Sequence, residues 1–214
     1  MSRRVWFPVD EDPNPRRLRK HALADEVRAL IADVLYLDVE NVEEEDLADA
    51  EARLGEARKA LSALPDIRAK GGVYGNRGDA SLFERSPLSG RCNALAAPLV
   101  LEFDGDRTLG HATYGEAYEG PPGSVHGGYV ISAFDDLLGV AQAASGTAGF
   151  TGTLSVRLVA RTPLHQRIDY EAEVSEHLGR KVIVSGRSSL RGETLAEATG
   201  IFIAPKQGLE LPES

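Results

Sequence analysis

The sequence predicts an α+β fold: an antiparallel sheet wrapped around one long central helix, with a helical extension at the N-terminus. One stretch, 118–144, turns from a Pro/Gly loop into an apolar segment about four helical turns long. Segments with strand character come before and after it. No uninterrupted apolar run approaches the roughly 18 residues of a membrane span. A helix this apolar must bury its surface, and a sheet that curls around it is the simplest solution.

The central helix follows a firm break in regular structure. The tandem prolines Pro121 and Pro122 cannot continue a helix or a central strand, and His126-Gly127-Gly128 comes soon after them. The first turn of a helix carries unpaired N–H groups and partial positive charge, so this turn is suited to a developing oxyanion. Apolar residues then recur with the period of a helix. They are Val130, Ile131, Phe134, Leu137, Leu138 and Ala141.

Two aspartates lie in this helix, at different angles to its apolar stripe. A helical wheel places Asp135 at the border of the stripe and Asp136 nearly opposite it. We therefore expect Asp135 to be half-buried with a raised pKa, as a useful base; the alternative is that both are solvated. Nine residues separate His126 from Asp135, about 13 Å along a helix. If both serve one site, a second subunit supplies one of them.

Strand segments flank the helix on both sides. Leu99–Phe103 and His111–Tyr118 surround a turn signal at 104–106, which predicts a hairpin. Four more segments follow the helix and are predicted to form a meander. They are Thr151–Ala160, Ile168–Leu178, Lys181–Leu190 and Thr194–Ala204. The first of these alternates apolar and polar residues, as on a sheet with one buried face.

The first 80 residues are predicted to form a separate unit: an irregular arm over 1–17, two helices, and a glycine-rich linker over 69–80. The helices run over Leu18–Leu37 and, after a polar connection, to about Leu64. Each has a narrow apolar seam with alternating spacings of three and four. These residues are Leu23, Val27, Leu30, Val34 and Leu37, then Leu47, Ala50, Leu54, Ala57, Leu61 and Leu64. Such seams predict an antiparallel helical hairpin or a pairing device between subunits.

Composition limits the partners and the compartment. The 214 residues carry a net charge of -9, which argues against nucleic acid and against an anionic membrane surface. Cys92 is the one cysteine, so we expect no disulfide framework, no Cys-based metal site and a reducing, cytoplasmic location. The N-terminus lacks the apolar stretch of a secretory signal. The main domain is predicted over 81–205, followed by a flexible tail over 206–214.

Four features together resemble the hot-dog-fold acyl-CoA thioesterases. They are the loop Glu119–Gly128, Asp135 nine positions after His126, and the segments Thr151–Val156 and Arg161–Leu164. Within the 4-hydroxybenzoyl-CoA thioesterase superfamily they look most like the phenylacetate-pathway type and the mammalian thioesterase superfamily members. The resemblance covers about residues 85–205. It departs at Gly120, where some relatives carry an asparagine.

This resemblance implies a metal-free hydrolysis of acyl-CoA at a subunit interface. The Gly127 N–H would polarise the thioester carbonyl, and His126 would orient the substrate or support that donor. Asp135 of the partner subunit would act as general base or nucleophile. Thr153 would hold the attacking water or position the carboxylate, with Thr151 as the alternative.

The resemblance also implies the remaining binding residues and the assembly. Gly128, Arg161, Arg180 and Lys181 would contact CoA, the cations through its phosphates. We expect no cofactor apart from the CoA of the substrate, and a homodimer or homotetramer. Two alternatives on the same fold are a non-catalytic acyl-CoA-binding or regulatory protein and a hydratase or dehydratase. A scaffold that recruits a partner through the N-terminal helices is a third.

Overall fold

The computed structural model describes residues 14–65, 82–104 and 106–206. The predicted linker, most of the predicted arm and nearly all of the predicted tail lie outside these residues. The helices are α1 (Pro15–Leu35), α2 (Glu44–Ser62), the short α3 (Leu82–Arg85) and α4 (Gly127–Ala144). The strands are β1 (Val100–Asp104), β2 (Arg107–Thr113), β3 (Phe150–Leu158), β4 (Arg167–Leu178), β5 (Lys181–Leu190) and β6 (Glu193–Ile203). Single turns of 3-10 helix occur at Val39–Asn41 and Glu116–Tyr118.

The six strands form one antiparallel sheet in the order β1-β2-β4-β5-β6-β3. The helix α4 packs on this sheet and contacts β2 through β6, so the predicted fold class is confirmed. Its apolar stripe forms the centre of the core, where Phe134, Leu137 and Leu138 are fully buried. Ile131 is 41% exposed, and its predicted burial is wrong. It lies one turn before Asp135, on the partly open side of α4 next to the edge strand β3.

The predicted four-strand meander is wrong in one respect. The strand β3 pairs with β6 at the far edge of the sheet, and β4 pairs with β2. The connection over 159–166 explains this, because it is tied to the loop before α4. The Val125 N–H donates to the Thr162 carbonyl at 2.8 Å, and Ser124 forms a β-bridge with Pro163. This contact carries the chain across the start of α4, away from β3.

The second predicted strand is shorter than expected. It ends at Thr113, and the Glu116–Tyr118 turn follows. The Tyr118 ring is buried, its hydroxyl donates to the Ala96 carbonyl, and its edge packs against Tyr129 of α4. The turn packs the Tyr118 ring edge-on against Tyr129 in the first turn of α4.

The helix α1 begins earlier than predicted. Asn14 caps it by accepting from the Arg16 N–H at 2.9 Å, and Pro15 occupies the first turn. α1 buries His21 and Ala24. The His21 Nε2 lies 2.7 Å from Glu84 Oε2, and Cys92 Sγ donates to the same oxygen at 2.9 Å. This buried cluster fastens α1 to the chain that leads into β1.

The helix α2 contrasts with α1, because none of its residues is buried. The two predicted helices are present, but neither buries its apolar seam in the described chain: Val27 and Leu30 of α1 are 40% and 38% exposed, and Leu54 and Leu61 of α2 are 41% and 43% exposed. None of the helices in the described residues is long and apolar enough to cross a membrane.

Candidate active site

His126 is the N-cap of α4, and its side chain folds back over the start of the helix. Its Nδ1 accepts a hydrogen bond from the Gly128 N–H at 3.0 Å. A Cβ at Gly128 would lie 3.1 Å from that nitrogen, so glycine allows the close approach. A helix provides no intrahelical acceptor for its first N–H groups. The Gly128 N–H is bonded to His126, and the Gly127 N–H, at the first helical position, has no acceptor within the helix.

The Pro/Gly loop is held tightly against His126. The His126 N–H donates to the Tyr118 carbonyl at 2.8 Å, and the Gly120 N–H donates to the Ser124 carbonyl at 2.9 Å. A Cβ at Gly120 would lie 2.7 Å from His126 Cα. A side chain at position 120 would therefore force this loop to shift.

The helix α1 also reaches this loop, through a contact that sequence reasoning missed. Glu119 accepts a hydrogen bond from the Gly123 N–H at 2.6 Å and a second one from the Tyr36 hydroxyl. These two bonds, the one from Tyr36 first, lower the pKa of the Glu119 carboxyl. No spacing rule links Tyr36 to a residue 83 positions away, so the sequence carried no signal for this contact.

Asp135 lies at the middle of α4 and contacts the beginning of β3. The Thr151 hydroxyl donates to Asp135 Oδ1 at 3.0 Å. The structure thus places Thr151, the alternative in the sequence analysis, against the carboxylate, while Thr153 is exposed two positions farther along. A shift in the pairing of β3 with β6 falls between these two threonines. Such an irregularity changes which side chain faces the helix, and sequence alternation does not reveal it.

Burial raises the pKa of the Asp136 carboxyl. Desolvation is the main cause of the raised pKa. Hydrogen bonds from Ser89 and Ser86 lower the pKa, and the negative charge of Asp135 raises it. The helical wheel placed Asp136 on the open side of α4, and its partial burial corrects that prediction. The chain between α3 and β1 carries both serines to the side of α4 that the helical wheel predicted to be open.

Within one chain, the start of α4 and Asp135 lie beside opposite ends of β3. A Cβ at Gly127 would lie 3.3 Å from Cδ1 of Leu158, so the helix begins against the last residue of that strand. Asp135 contacts Thr151 near the first residue. Thr151 and Leu158 are about 20 Å apart along the extended strand. A single chain therefore does not bring His126 and Gly127 together with Asp135.

The cationic residues predicted to bind CoA also lie at opposite ends of β3. Arg180 and Lys181 lie at the turn between β4 and β5, and Lys181 is level with the beginning of β3 through the pairs Lys181–Ile203 and Phe150–Ile203. Arg161 is exposed in the connection after β3, next to Thr162, whose carbonyl holds the loop before α4. One cation therefore lies near the helix start and two lie near the Asp135 end.

Among the described residues, one group of side chains has atoms close enough to share a metal ion: His21, Glu84 and Cys92, all within 4.8 Å of one another. The His21 and Cys92 contacts, 2.7 and 2.9 Å long, both reach one carboxylate oxygen of Glu84 and have hydrogen-bond lengths. Ligand atoms around a tetrahedral zinc are about 3.3 Å apart or more. The observed geometry fits a hydrogen-bonded cluster.

No protein-family model matches this chain. Its structure is similar to the crystal structure of a thioesterase superfamily protein, with 28% sequence identity and a TM-score of 0.72, over 86% of this chain and 94% of that chain. This chain has the hot-dog fold, and its structure resembles that of a thioesterase superfamily protein. The match is longer than the sheet and α4 alone, so it extends into the N-terminal helices. The hot-dog domain and at least part of its helical extension therefore occur together in that relative.

Two further structures resemble about half of this hot-dog protein. One is a phenylacetic acid degradation-related protein from Ralstonia eutropha JMP134, with 18% identity over 50% of this chain and 86% of that chain and a TM-score of 0.47. The other is a hypothetical thioesterase protein with coenzyme A from Streptococcus pneumoniae TIGR4, with 18% identity over 49% of this chain and 87% of that chain and a TM-score of 0.46.

Proposed function

We propose that this hot-dog protein hydrolyses acyl-CoA thioesters to the free acid and CoA, at a site shared by two subunits. The observation that carries the proposal is the position of the site residues at opposite ends of β3. His126 and Gly127 lie beside its last residue, and Asp135 is hydrogen-bonded to Thr151 near its first. The end of β3 beside Gly127 lacks the carboxylate, and the end beside Asp135 lacks the helix start. In a dimer, the second copy would supply the missing group at each end.

The edge strand β3 is the element through which two copies would join. It is the last strand of the sheet and pairs on one side with β6. Apolar side chains at its ends are open, with Phe150 56%, Leu158 51% and Val159 47% exposed. A free, partly apolar edge is a template for pairing with another strand. Antiparallel pairing of β3 with the partner's β3 would set Thr151 and Asp135 beside the partner's Gly127.

The chemistry of such a shared site needs a base and an oxyanion donor. Asp135, oriented by Thr151, would remove a proton from water as the water oxygen attacks the thioester carbon. The alternative is direct attack by the carboxylate as nucleophile. The partner's Gly127 N–H would stabilise the oxyanion, and His126 would keep the first turn in shape by occupying the Gly128 N–H. The C–S bond then breaks, and the CoA thiolate takes up the proton. Thr153, exposed next to this position, stays a candidate for ordering the water.

The same pairing would gather the separated cations. Arg161 of one subunit would come to the side of Arg180 and Lys181 of the other, because the two ends of β3 are exchanged between partners. Arg and Lys side chains recognise phosphate through charge-assisted hydrogen bonds. We assign these three residues, with the Gly128 backbone, to CoA binding.

Mixing two inactive chains tests the shared site. Chains with Asp135→Ala and chains with His126→Ala are each expected to lose turnover. In random mixed dimers one of the two sites regains both intact residues, so activity should return to about one quarter of the parent value. A site built within one chain would give no recovery. Saturable acyl-CoA binding without CoA release by the parent protein would favour the non-catalytic alternative.

A further inference from the structure

The helix α2 presents an apolar seam without cover in the described chain. All 19 of its residues are exposed or partly exposed, among them Leu54 and Leu61 at 41% and 43%. In proteins, most of the stability of a helix comes from packing its apolar face. Something outside the described residues of one chain must pack against this seam.

The composition of the seam favours one arrangement. Leucines stand at every seventh position, Leu47, Leu54 and Leu61, and the small Ala50 and Ala57 stand between them. In a parallel pair of such helices, leucine meets leucine and alanine meets alanine, which leaves layers that are alternately crowded and empty. When the helices run antiparallel, the two heptad positions face each other. Each leucine then meets an alanine, and large and small side chains alternate in every layer.

The charges along α2 favour the same arrangement. Its first half is strongly acidic, and its second half is mainly basic. The acidic residues are Glu44, Glu45, Asp46, Asp49 and Glu51; the basic ones are Arg53, Arg58 and Lys59, with Glu56 among them. An antiparallel pair of α2 helices sets each acidic half beside the basic half of the other, whereas a parallel pair sets like charges together.

The helix α1 of the same chain is a poorer partner. It begins with a basic cluster, Arg16, Arg17, Arg19 and Lys20. An antiparallel hairpin would bring this cluster to the basic end of α2, at Arg58 and Lys59. Like charges in contact are unfavourable, and α1 instead packs on the Glu116–Tyr118 turn.

We propose that α2 packs antiparallel on the α2 of a second copy of this chain. This is a self-association surface distinct from the β3 edge, and it does not depend on thioesterase activity. Its contact layers alternate leucine with alanine, and its flanks pair carboxylates with arginine and lysine.

Cross-linking of full-length chains by a short bis-maleimide, which joins two cysteine thiols that lie one layer apart, tests both contact and direction. Cysteines are introduced singly in Cys92→Ser chains, which contain no other thiol. In the antiparallel pair Leu54 faces an alanine of the partner, and the two Leu54 positions lie one layer apart near the middle of α2, so this reagent should join Leu54→Cys chains efficiently. Leu47→Cys lies near one end and should cross-link at least tenfold less, because its counterpart is at the opposite end of the pair. Ala52→Cys, two positions away on the outer face, is the control and should also fail.

Equal cross-linking at Leu47→Cys and Leu54→Cys would show a parallel pair and overturn the proposal. A lack of cross-linking at both would mean that another part of the chain, or another protein, covers the seam, and would also overturn it. A matched pair of lysine substitutions provides the second measurement. Ala50→Lys on the seam should abolish the Leu54→Cys cross-link, and Ala52→Lys on the outer face should leave it unchanged. If the two lysine variants behave alike, the cross-link does not arise from the seam.

Discussion

The Thr151 hydroxyl donates a 3.0 Å hydrogen bond to the Asp135 carboxylate, which joins the middle of α4 to the beginning of the edge strand β3. This contact places the acidic group of the proposed site at one end of β3, while Gly127, at the start of α4, lies at the other. The carboxylate and the helix start thus lie beside the same strand but at opposite ends of it.

Replacing Asp135 should separate chemistry from binding. We expect Asp135→Asn to reduce CoA release at least ~100-fold, because general-base catalysis contributes that much or more, with little change in acyl-CoA affinity. Thiol detection of released CoA and a direct binding measurement check the two parts. Asp136→Asn is the matched control and should keep turnover within a few fold. Inactivation by Asp136→Asn together with full activity in Asp135→Asn would assign the base to the other carboxyl.

The two threonines of β3 provide a second matched pair. Thr151→Val removes the donor to Asp135 and keeps the β-branched shape that strands favour, so we expect kcat to fall about tenfold. Thr153→Val should have a smaller effect if its role is limited to ordering water. Steady-state kinetics of both variants decide this. A larger loss at Thr153 would place the essential hydroxyl two positions farther along the strand.

Asp136 should make stability depend on pH. Its pKa in the folded protein is raised above the usual value of 3.8 by burial. The folded state holds the proton more tightly than the unfolded chain. The stability that this contributes is complete below pH 3.8 and is lost as the pH rises through the raised pKa. Denaturant unfolding over this range should show the parent losing stability relative to Asp136→Asn. Parallel curves for the two proteins would contradict the burial of this carboxyl.

Two glycines near the Pro/Gly loop should respond differently to substitution. Gly120→Ala would place a Cβ 2.7 Å from His126 Cα, so we expect a loss of roughly 1–3 kcal/mol in stability and reduced turnover. Gly115→Ala has no atom within 4 Å of the new Cβ and should be tolerated. Thermal unfolding and CoA release measure both effects. Equal tolerance at the two positions would mean that the loop relaxes without disturbing His126.

The sequence predicted the parts of this molecule that depend on local patterns. The period of the α4 stripe, the break at the tandem prolines and the alternation within strands identified the helix, the loop and the sheet. The joint spacing of His126, Gly127 and Asp135 identified the family resemblance.

Tertiary contacts decided the rest. The burial of Asp136 depends on serines about 50 positions earlier in the chain, and the position of β3 at the sheet edge depends on how its following connection crosses α4. Neither contact leaves a periodic signal. The early start of α1, in contrast, was readable from Asn14 and Pro15, which are typical helix-start residues.

The buried pairing of His21 with Glu84 bears on how this protein is shortened for experiments. A chain that starts at residue 81 would keep the complete sheet and α4. It would lose His21, the imidazole partner of Glu84, whose side chain is 1% exposed in the full chain. Truncation removes both the hydrogen bond from His21 and the packing of α1 over this site, and leaves Cys92 as the remaining partner described for Glu84. Truncation at the glycine-rich linker should therefore yield a less stable hot-dog domain, and Glu84→Gln in the truncated chain should recover part of the loss.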